Sequence, residues 1–313
     1  MLAVQGQDPR GARLAIRART VGLSAADVDR ALSEDRSLLI AWLNRGTLHL
    51  VRSEDYAWLH AVTTPPLLNE SVRRLGVEGI SAEVGERAMA RIERALAEEG
   101  PLTRVRLRAL LEEDGFPSSG QAFSHLCFRA GVLGILVRGP MIGNQHAYVL
   151  ARDWIGESKP VDRDAALAEL ARRYLVGHAP ATDRDLAKWA GLPLRDARAG
   201  LSAIGSELEE REGLVRLAKS PPAGKIPKPR LLGAYDPVLL GWASREEILG
   251  PHTQLVTTNG LFRPFALVDG HAVATWKLTK GKVTIERLGR IAKEASAALE
   301  AEAVDVERFL AGV

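Results

Sequence analysis

The chain has 313 residues, is 46% hydrophobic and 26% charged, and sets Lys+Arg 42 against Asp+Glu 39 for a net charge of +3. That length supports roughly two to four structural units with a real core. The single cysteine excludes a disulfide framework or a cysteine-rich zinc site within one chain. No stretch approaches the roughly 18 apolar residues that span a bilayer, and no basic-then-apolar leader opens the chain, so it reads as cytoplasmic. The mildly basic balance permits a nucleic-acid partner without demanding one, because binding depends on local clustering.

Up to about residue 215 the pattern is mostly helices joined by short turns. Pro9 sits at a first helical turn, where its missing N–H costs nothing. Ser24 and Asp27 have the spacing of a capping box, and the helix they start buries Val28, Ala31 and Leu32. Residues 37–43 read as a further apolar helix, Asn44-Arg45-Gly46 as a turn and residues 47–51 as a strand. Helix, turn, helix, strand is the order of a winged helix. A second round follows: a helix over 81–99, a Gly-Pro-Leu-Thr break with Thr103 as a cap, a helix over 121–130, and strands at 132–138 and 145–150. A third runs from Asp164 through a helix, a break at Ala179-Pro180-Ala181 capped by Thr182, another helix over 194–204, and strand-like residues at 208–217. The recurring helix, break and capped helix predicts tandem winged helices. Beyond the Pro/Lys-rich stretch 220–229 come short strands at 230–234, 255–258, 265–268, 272–277 and 282–287, with Asp269-Gly270 and Lys280-Gly281 as hairpin turns. Such strands suggest a small barrel or an open sheet. A helix over 291–310 closes the chain. The predicted units are 1–78, 79–160, 161–222 and 223–313.

The residue types available for chemistry are few. Gln5 and Gln7 flank one residue ahead of the Pro9 helix. An amide has no usable pKa and cannot serve as a general base. It can hold a water with its oxygen and donate from its NH2, which suffices only when the leaving group is already activated, as in a cationic N7-alkylated purine. The plain alternative is that both glutamines are capping or solvated side chains. Arg45, Thr47 and His49 alternate along one predicted strand face. Arg45 is a phosphate candidate, and His49 has the alternative of a structural histidine. Arg10, Arg13 and Arg17 fall on one helical stripe, either a solvated face or a backbone grip. Asp236, in Tyr235-Asp236-Pro237, either starts a turn or faces a cationic adduct. Lys225, Lys228, Arg230, Arg263, Lys277, Lys280 and Lys282 are candidates for a phosphate track. His252 and Asn259 are weaker polar-loop candidates, Cys127 reads as a small buried hydrophobe, and Trp42, Trp58 and Trp189 as core. A phosphate-binding glycine loop, His-Glu-x-x-His and Gly-x-Ser-x-Gly are absent from the sequence.

Several segments together resemble one family. Val4-Gln5-Gly6-Gln7-Asp8-Pro9-Arg10 and residues 34–51 (EDRSLLIAWLNRGTLHLV) are similar to the first winged-helix unit of the AlkZ-like (YcaQ-like) DNA glycosylases. Residues 231–242 (LLGAYDPVLLGW), residues 257–278 and a last helix ending in Phe309-Leu310 match the C-terminal part of that family. The resemblance implies a mainly α, partly β chain: tandem winged helices followed by a small C-terminal β-barrel with a closing helix, curved around a duplex-sized channel. It implies a Gln-hydrophobic-Gln catalytic element, here Gln5-Gly6-Gln7 with glycine in the middle, and excision of bulky N7-alkylpurines or crosslinks. It further implies double-stranded DNA as partner in a nucleoid-associated monomer, with no cofactor, metal or membrane. The helix that precedes the motif in that family is expected to be missing, leaving the first unit short. A winged-helix protein that binds DNA without chemistry is the alternative.

Overall fold

The helix starts obey the capping chemistry of the sequence. In the computed structural model, which describes every residue except Met1, Asn144, residues 157–159, Pro222, Ala223, Lys225, Ile226 and Val313, a short strand β1 (Val4–Gln5) leads into α1 (Pro9–Arg17). Asp8 caps α1 by accepting from the Arg10 amide at 3.0 Å, with Pro9 in the first turn. Ser24 and Asp27 form the reciprocal capping box that opens α2 (Ala25–Ser33). Then come β2 (Leu38–Trp42), β3 (Leu48–Arg52), α3 (Ser53–Thr63) and α4 (Leu68–Val77).

The second unit follows as α5 (Ala82–Glu99), α6 (Arg104–Glu113), α7 (Ala122–Val132), β4 (Leu136–Ile142), β5 (Gln145–Leu150) and α8 (Ala151–Ile155). The third is α9 (Arg163–His178), α10 (Asp183–Ala190), α11 (Leu194–Ala203) and the hairpin β6 (Leu208–Arg211) and β7 (Leu214–Leu217). Thr103 caps α6, and Thr182 with Asp185 boxes α10. The C-terminal part holds β8 (Arg230–Leu232), α12 (Glu246–Leu249), β9 (Phe265–Val268), β10 (His271–Thr279), β11 (Lys282–Arg287) and α13 (Lys293–Ala311). Among the described residues no helix is long and apolar enough to cross a membrane.

Three sequence expectations are corrected here. Residues 37–43 are not a helix: Leu38–Trp42 is β2, a central strand of a five-stranded sheet ordered β1-β3-β2-β4-β5. Its two faces fill different cores. Leu39 and Ala41 join the cluster that contains Tyr174 and Trp189, while Ile40 joins the cluster of α1, β10 and α13. A strand buried on both faces loses its alternation and reads like a buried helix. The place of β2 in that sheet is also not one the sequence suggested, since Ile40 pairs with Arg138 and joins the β2–β3 and β4–β5 hairpins into one sheet. Finally, the C-terminal strands form an open sheet ordered β11-β10-β9-β8, not a closed barrel, and residues 253–255 are a helical turn with a lone Val256–Phe262 bridge.

Two glycines bring distant backbone into direct contact. A Cβ on Gly11 would overlap the Ala234 carbonyl oxygen, and one on Gly233 would lie 2.9 Å from the Gly11 Cα. Helix α1 and the chain after β8 therefore abut with no side chain between them. Gly11→Ala is expected to lower the urea midpoint by the equivalent of about 1–3 kcal/mol, the usual cost of overpacking. Gly76→Ala, a helical position with nothing within 4 Å, is expected to leave stability unchanged or raise it by up to about 1 kcal/mol. Equal midpoints for the two variants would contradict the close approach.

Candidate active site

Strand β1 pairs antiparallel with β3, placing Gln5 opposite His49. The Gly6 amide donates to the Leu48 carbonyl at 2.6 Å. A Cβ at position 6 would stand 3.3 Å from Ile40 Cγ2, so glycine lets the motif lie flat on the sheet. Gln5 is buried and Gln7 is exposed. Between them runs a side-chain hydrogen bond from Gln5 Nε2 to Gln7 Oε1.

The orientation of that pair is fixed from the other end. Arg45 Nη2 donates to Gln5 Oε1 at 3.2 Å, and Arg45 Nη1 donates to the Trp189 carbonyl. A guanidinium has only donors, so the Gln5 oxygen must face Arg45 and its NH2 must face Gln7. Gln7 thus receives a bond on its carbonyl and keeps its own NH2, with the second carbonyl lone pair, toward solvent. Arg45 sits in a tight turn at φ 58, a left-handed conformation rare outside glycine. Trp189 lies in the last turn of α10, where free carbonyls and the helix dipole favour a cation. Immediately after it, Gly191 at φ +70 touches the Arg45 backbone, leaving no room for a Cβ. Burial, then repulsion from Arg245, holds the Arg45 pKa down to about 10.

His49 is neutral. Its Nδ1 lies 3.0 Å from the Thr47 carbonyl, so that nitrogen carries the proton and donates. Burial first, then the Arg45 charge, push its pKa down to about 3. Thr47 Oγ1 donates to the Asn44 carbonyl at 3.1 Å and closes the turn. The structure therefore gathers Gln5, Gln7, Arg45 and His49. Arg45, however, lies in the turn before the strand instead of alternating along it.

Other sequence candidates fall elsewhere. Asp236 is fully buried, with one oxygen at 2.7 Å and the other at 3.0 Å from the Arg19 guanidinium. It also accepts from the Val238 amide at 3.0 Å, so the carboxylate starts a turn and cannot touch a substrate. Arg13 and Arg17 do not line a DNA-facing stripe. Arg13 is paired with Asp29 and donates to the Pro9 carbonyl, while Arg17 holds Glu302 at 2.8 Å and Asp305 at 2.6 Å. Their charges tie α1 to α2 and α13. Arg10, Lys228, Arg263 and Lys280 are exposed and make no ion pair among the described residues. Arg230, Lys277 and Lys282 pair with Glu302, Glu286 and Glu307. Lys225 lies outside the described residues.

Sequence reasoning missed three neighbours of the motif: Tyr235, Arg245 and Phe262. Tyr235 and Phe262 lie in the segments that resemble the family, but no local pattern brings them together, since 27 residues separate the two rings. Tyr235 and Phe262 are 5.4 Å apart between ring centroids, and the Arg245 guanidinium lies 5.1 Å from the Phe262 centroid.

These features define an α+β protein whose candidate site gathers two amides, a guanidinium and a neutral imidazole. The chain belongs to the DNA glycosylase AlkZ-like family, whose model matches residues 1–309. It is similar to an interstrand DNA cross-link repair glycosylase of Streptomyces sahachiroi, 28% identical over 99% of this chain and 90% of that protein. The solved structure of Streptomyces sahachiroi DNA glycosylase AlkZ is similar with a TM-score of 0.78 and 25% identity, over 98% of this chain and 88% of that one.

Three histidines carry a pH consequence. His49, His146 and His178 are buried, and desolvation lowers their pKa values to about 3, about 4 and about 4. The unfolded chain takes up these protons below the ordinary value of 6.5 while the fold refuses them, so stability is full above 6.5 and lost as pH falls toward 4. Each histidine contributes up to about 1.4 kcal/mol per pH unit in that window. Urea midpoints at about pH 7.5 and about pH 5 are expected to fall, and to fall less in His49→Gln. An acid-independent midpoint would contradict the buried neutral state.

Proposed function

We propose that this protein is a DNA glycosylase that hydrolyses the N-glycosidic bond of N7-alkylated purines, with bulky adducts and crosslinks as the natural range. The observation that carries the reading is the oriented amide pair, in which Arg45 fixes Gln5, Gln5 fixes Gln7, and Gln7 opens to solvent. Family membership and the cross-link repair activity named for the Streptomyces sahachiroi relative support it.

The chemistry asks little of a base. An N7-alkylated purine is cationic and leaves as a neutral base when the C1′–N9 bond breaks. The sugar is left as an oxocarbenium ion that water attacks at C1′, and the released proton goes to solvent. Gln7 and Gln5 place that water and donate to the sugar or phosphate; the energetic gain comes from positioning a reaction already activated by the lesion. His49, neutral and bonded to Thr47, is assigned a supporting role behind Gln5. We read residues 1–78, 79–160 and 161–222 as three winged-helix units, because each holds an antiparallel strand pair preceded by helices. Exposed Arg10, Lys228, Arg263 and Lys280 are assigned to duplex phosphates, with Lys277 able to exchange its exposed Glu286 carboxylate for phosphate at little cost, whereas the Glu302 that holds Arg230 is largely buried and shared with Arg17.

Incubating the protein with duplex DNA carrying N7-methylguanine or a bulkier N7 adduct, followed by alkaline cleavage at abasic sites, tests the proposal. Wild type is expected to release the base. Gln5→Ala and Gln7→Ala are each expected to lose about 100- to 1,000-fold in single-turnover rate, the range for removing one preorganised polar group, while DNA affinity stays within about threefold. Duplex binding with no abasic product from small or bulky adducts would make this a DNA-binding protein instead. Unchanged rates in both variants would overturn the assigned mechanism.

A further inference from the structure

The contacts around Gln7 close into a ring. Gln5 bonds Gln7 on one side and Arg45 on the other. Arg45 and the segment carrying Arg245 dock on the same helix, α10: the Trp189 carbonyl takes Arg45, while Asp185 accepts from the Ala243 amide at 2.8 Å and Lys188 donates to the Ala243 carbonyl at 3.1 Å. Arg245 lies over Phe262, Phe262 over Tyr235, and Tyr235 follows Ala234, whose carbonyl abuts Gly11 in the first turns of α1. Asp8, the cap of that helix and the residue after Gln7, is near enough to Tyr235 to help raise its pKa, behind burial as the larger cause.

Within the ring, the charge of Arg245 is unanswered. Arg13, Arg17, Arg19 and Arg52 each face a carboxylate. Arg245 makes no ion pair among the described residues, and neither does Arg45. Yet both are half-buried, Arg45's charge is repelled by Arg245, and burial lowers the pKa of Arg245 as well. Two partly desolvated guanidiniums close enough to repel each other are unfavourable unless an anion joins them. Arg245 is also preorganised for one. Its Nε donates to the Leu239 carbonyl at 2.6 Å and its Cζ lies 5.1 Å from the Phe262 ring centroid, which leaves both terminal NH2 groups as a fork without an acceptor among the described residues. That is the geometry a phosphate receives bidentately. Tyr235, at φ 59, holds a conformation that a bulky residue rarely adopts, a form of strain that collects at functional sites.

We propose that Arg245 is a phosphate clasp: seated on Phe262, it grips the DNA backbone phosphate beside the nucleotide presented to Gln7. The Tyr235–Phe262 edge then forms the wall along which that nucleotide's base lies. The inference rests on the glycosylase reading for where the lesion sits. The phosphate contact itself does not need excision, so the two can fail separately.

The test couples a protein change to a DNA change. Duplexes carry one 2′-fluoro N7-methylguanine nucleotide, which resists cleavage, and a single uncharged methylphosphonate placed in turn at each phosphate near it. Wild type is expected to lose about tenfold in affinity at one flanking position, the scale of one charged hydrogen-bonded contact. Arg245→Met, which keeps an apolar stem over Phe262, is expected to bind the unmodified phosphate duplex about tenfold more weakly and to be indifferent to methylphosphonate at that same position. Its slope of log affinity against log salt should fall by about 0.9. Arg245→Lys is expected to restore the slope while remaining weaker than wild type, because a point charge lacks the fork. It also serves if Arg245→Met does not fold. The proposal is overturned if Arg245→Met responds to every methylphosphonate as wild type does, or if the salt slope is unchanged in both variants. Loss of base excision by wild type on the cleavable N7-methylguanine duplex, with the coupling to Arg245 intact, would overturn the glycosylase reading alone.

Discussion

The site depends on one interaction: the Arg45 guanidinium held between the Trp189 carbonyl and the Gln5 carboxamide. The helix C-terminus supplies free carbonyls and the negative end of a dipole, and a cation placed there is worth roughly 0.3–1 kcal/mol at exposed positions and more where partly buried. The left-handed turn at Arg45 and the bare backbone of Gly191 let the two segments touch. The same arginine fixes which way the Gln5 amide points, and so which atoms of Gln7 face outward. The contact between the β2–β3 turn and α10 and the polarity of the candidate site are thus set by a single side chain.

On the proposed mechanism, that arrangement lets the site dispense with an acid–base pair. Gln5 and Gln7 do not titrate. The one imidazole beside them is kept neutral by burial and by the nearby guanidinium. A positively charged surround opposes proton uptake by His49 and favours a polyanion. Its cost is mutual repulsion between Arg45 and Arg245. On the proposed reading, a duplex phosphate at Arg245 would relieve that repulsion and tie affinity for the backbone to the state of the site.

How much of this the sequence disclosed depends on whether the signal was local. The capping box at Ser24–Asp27, the Thr182 cap and the Asp269-Gly270 and Lys280-Gly281 turns are set by neighbouring residues, and they formed where expected. Gln5 and Gln7 were visible as a motif, and family membership was legible along the chain. Strand β2 was not, because burial of both faces against different cores erases its period. The fate of Arg13 and Arg17 was equally hidden: a solvated arginine stripe and one neutralised by Asp29, Glu302 and Asp305 have identical spacing. Asp236 gave no sign that Arg19, over 200 residues away, would occupy it. Tyr235, Phe262 and Arg245 meet through long-range contacts, among them the Gly11–Ala234 backbone approach and the docking of Ala243 on α10, that no local pattern encodes.

The pH dependence of single-turnover excision on an N7-methylguanine duplex bears most directly on the claim that untitratable amides do the work. After subtraction of spontaneous depurination, the account requires a rate that is flat between about pH 6 and about pH 9, within the range where the protein stays folded and Arg45 stays charged. A sigmoidal or bell-shaped profile with a midpoint inside that range would reveal a titrating catalytic group and contradict it.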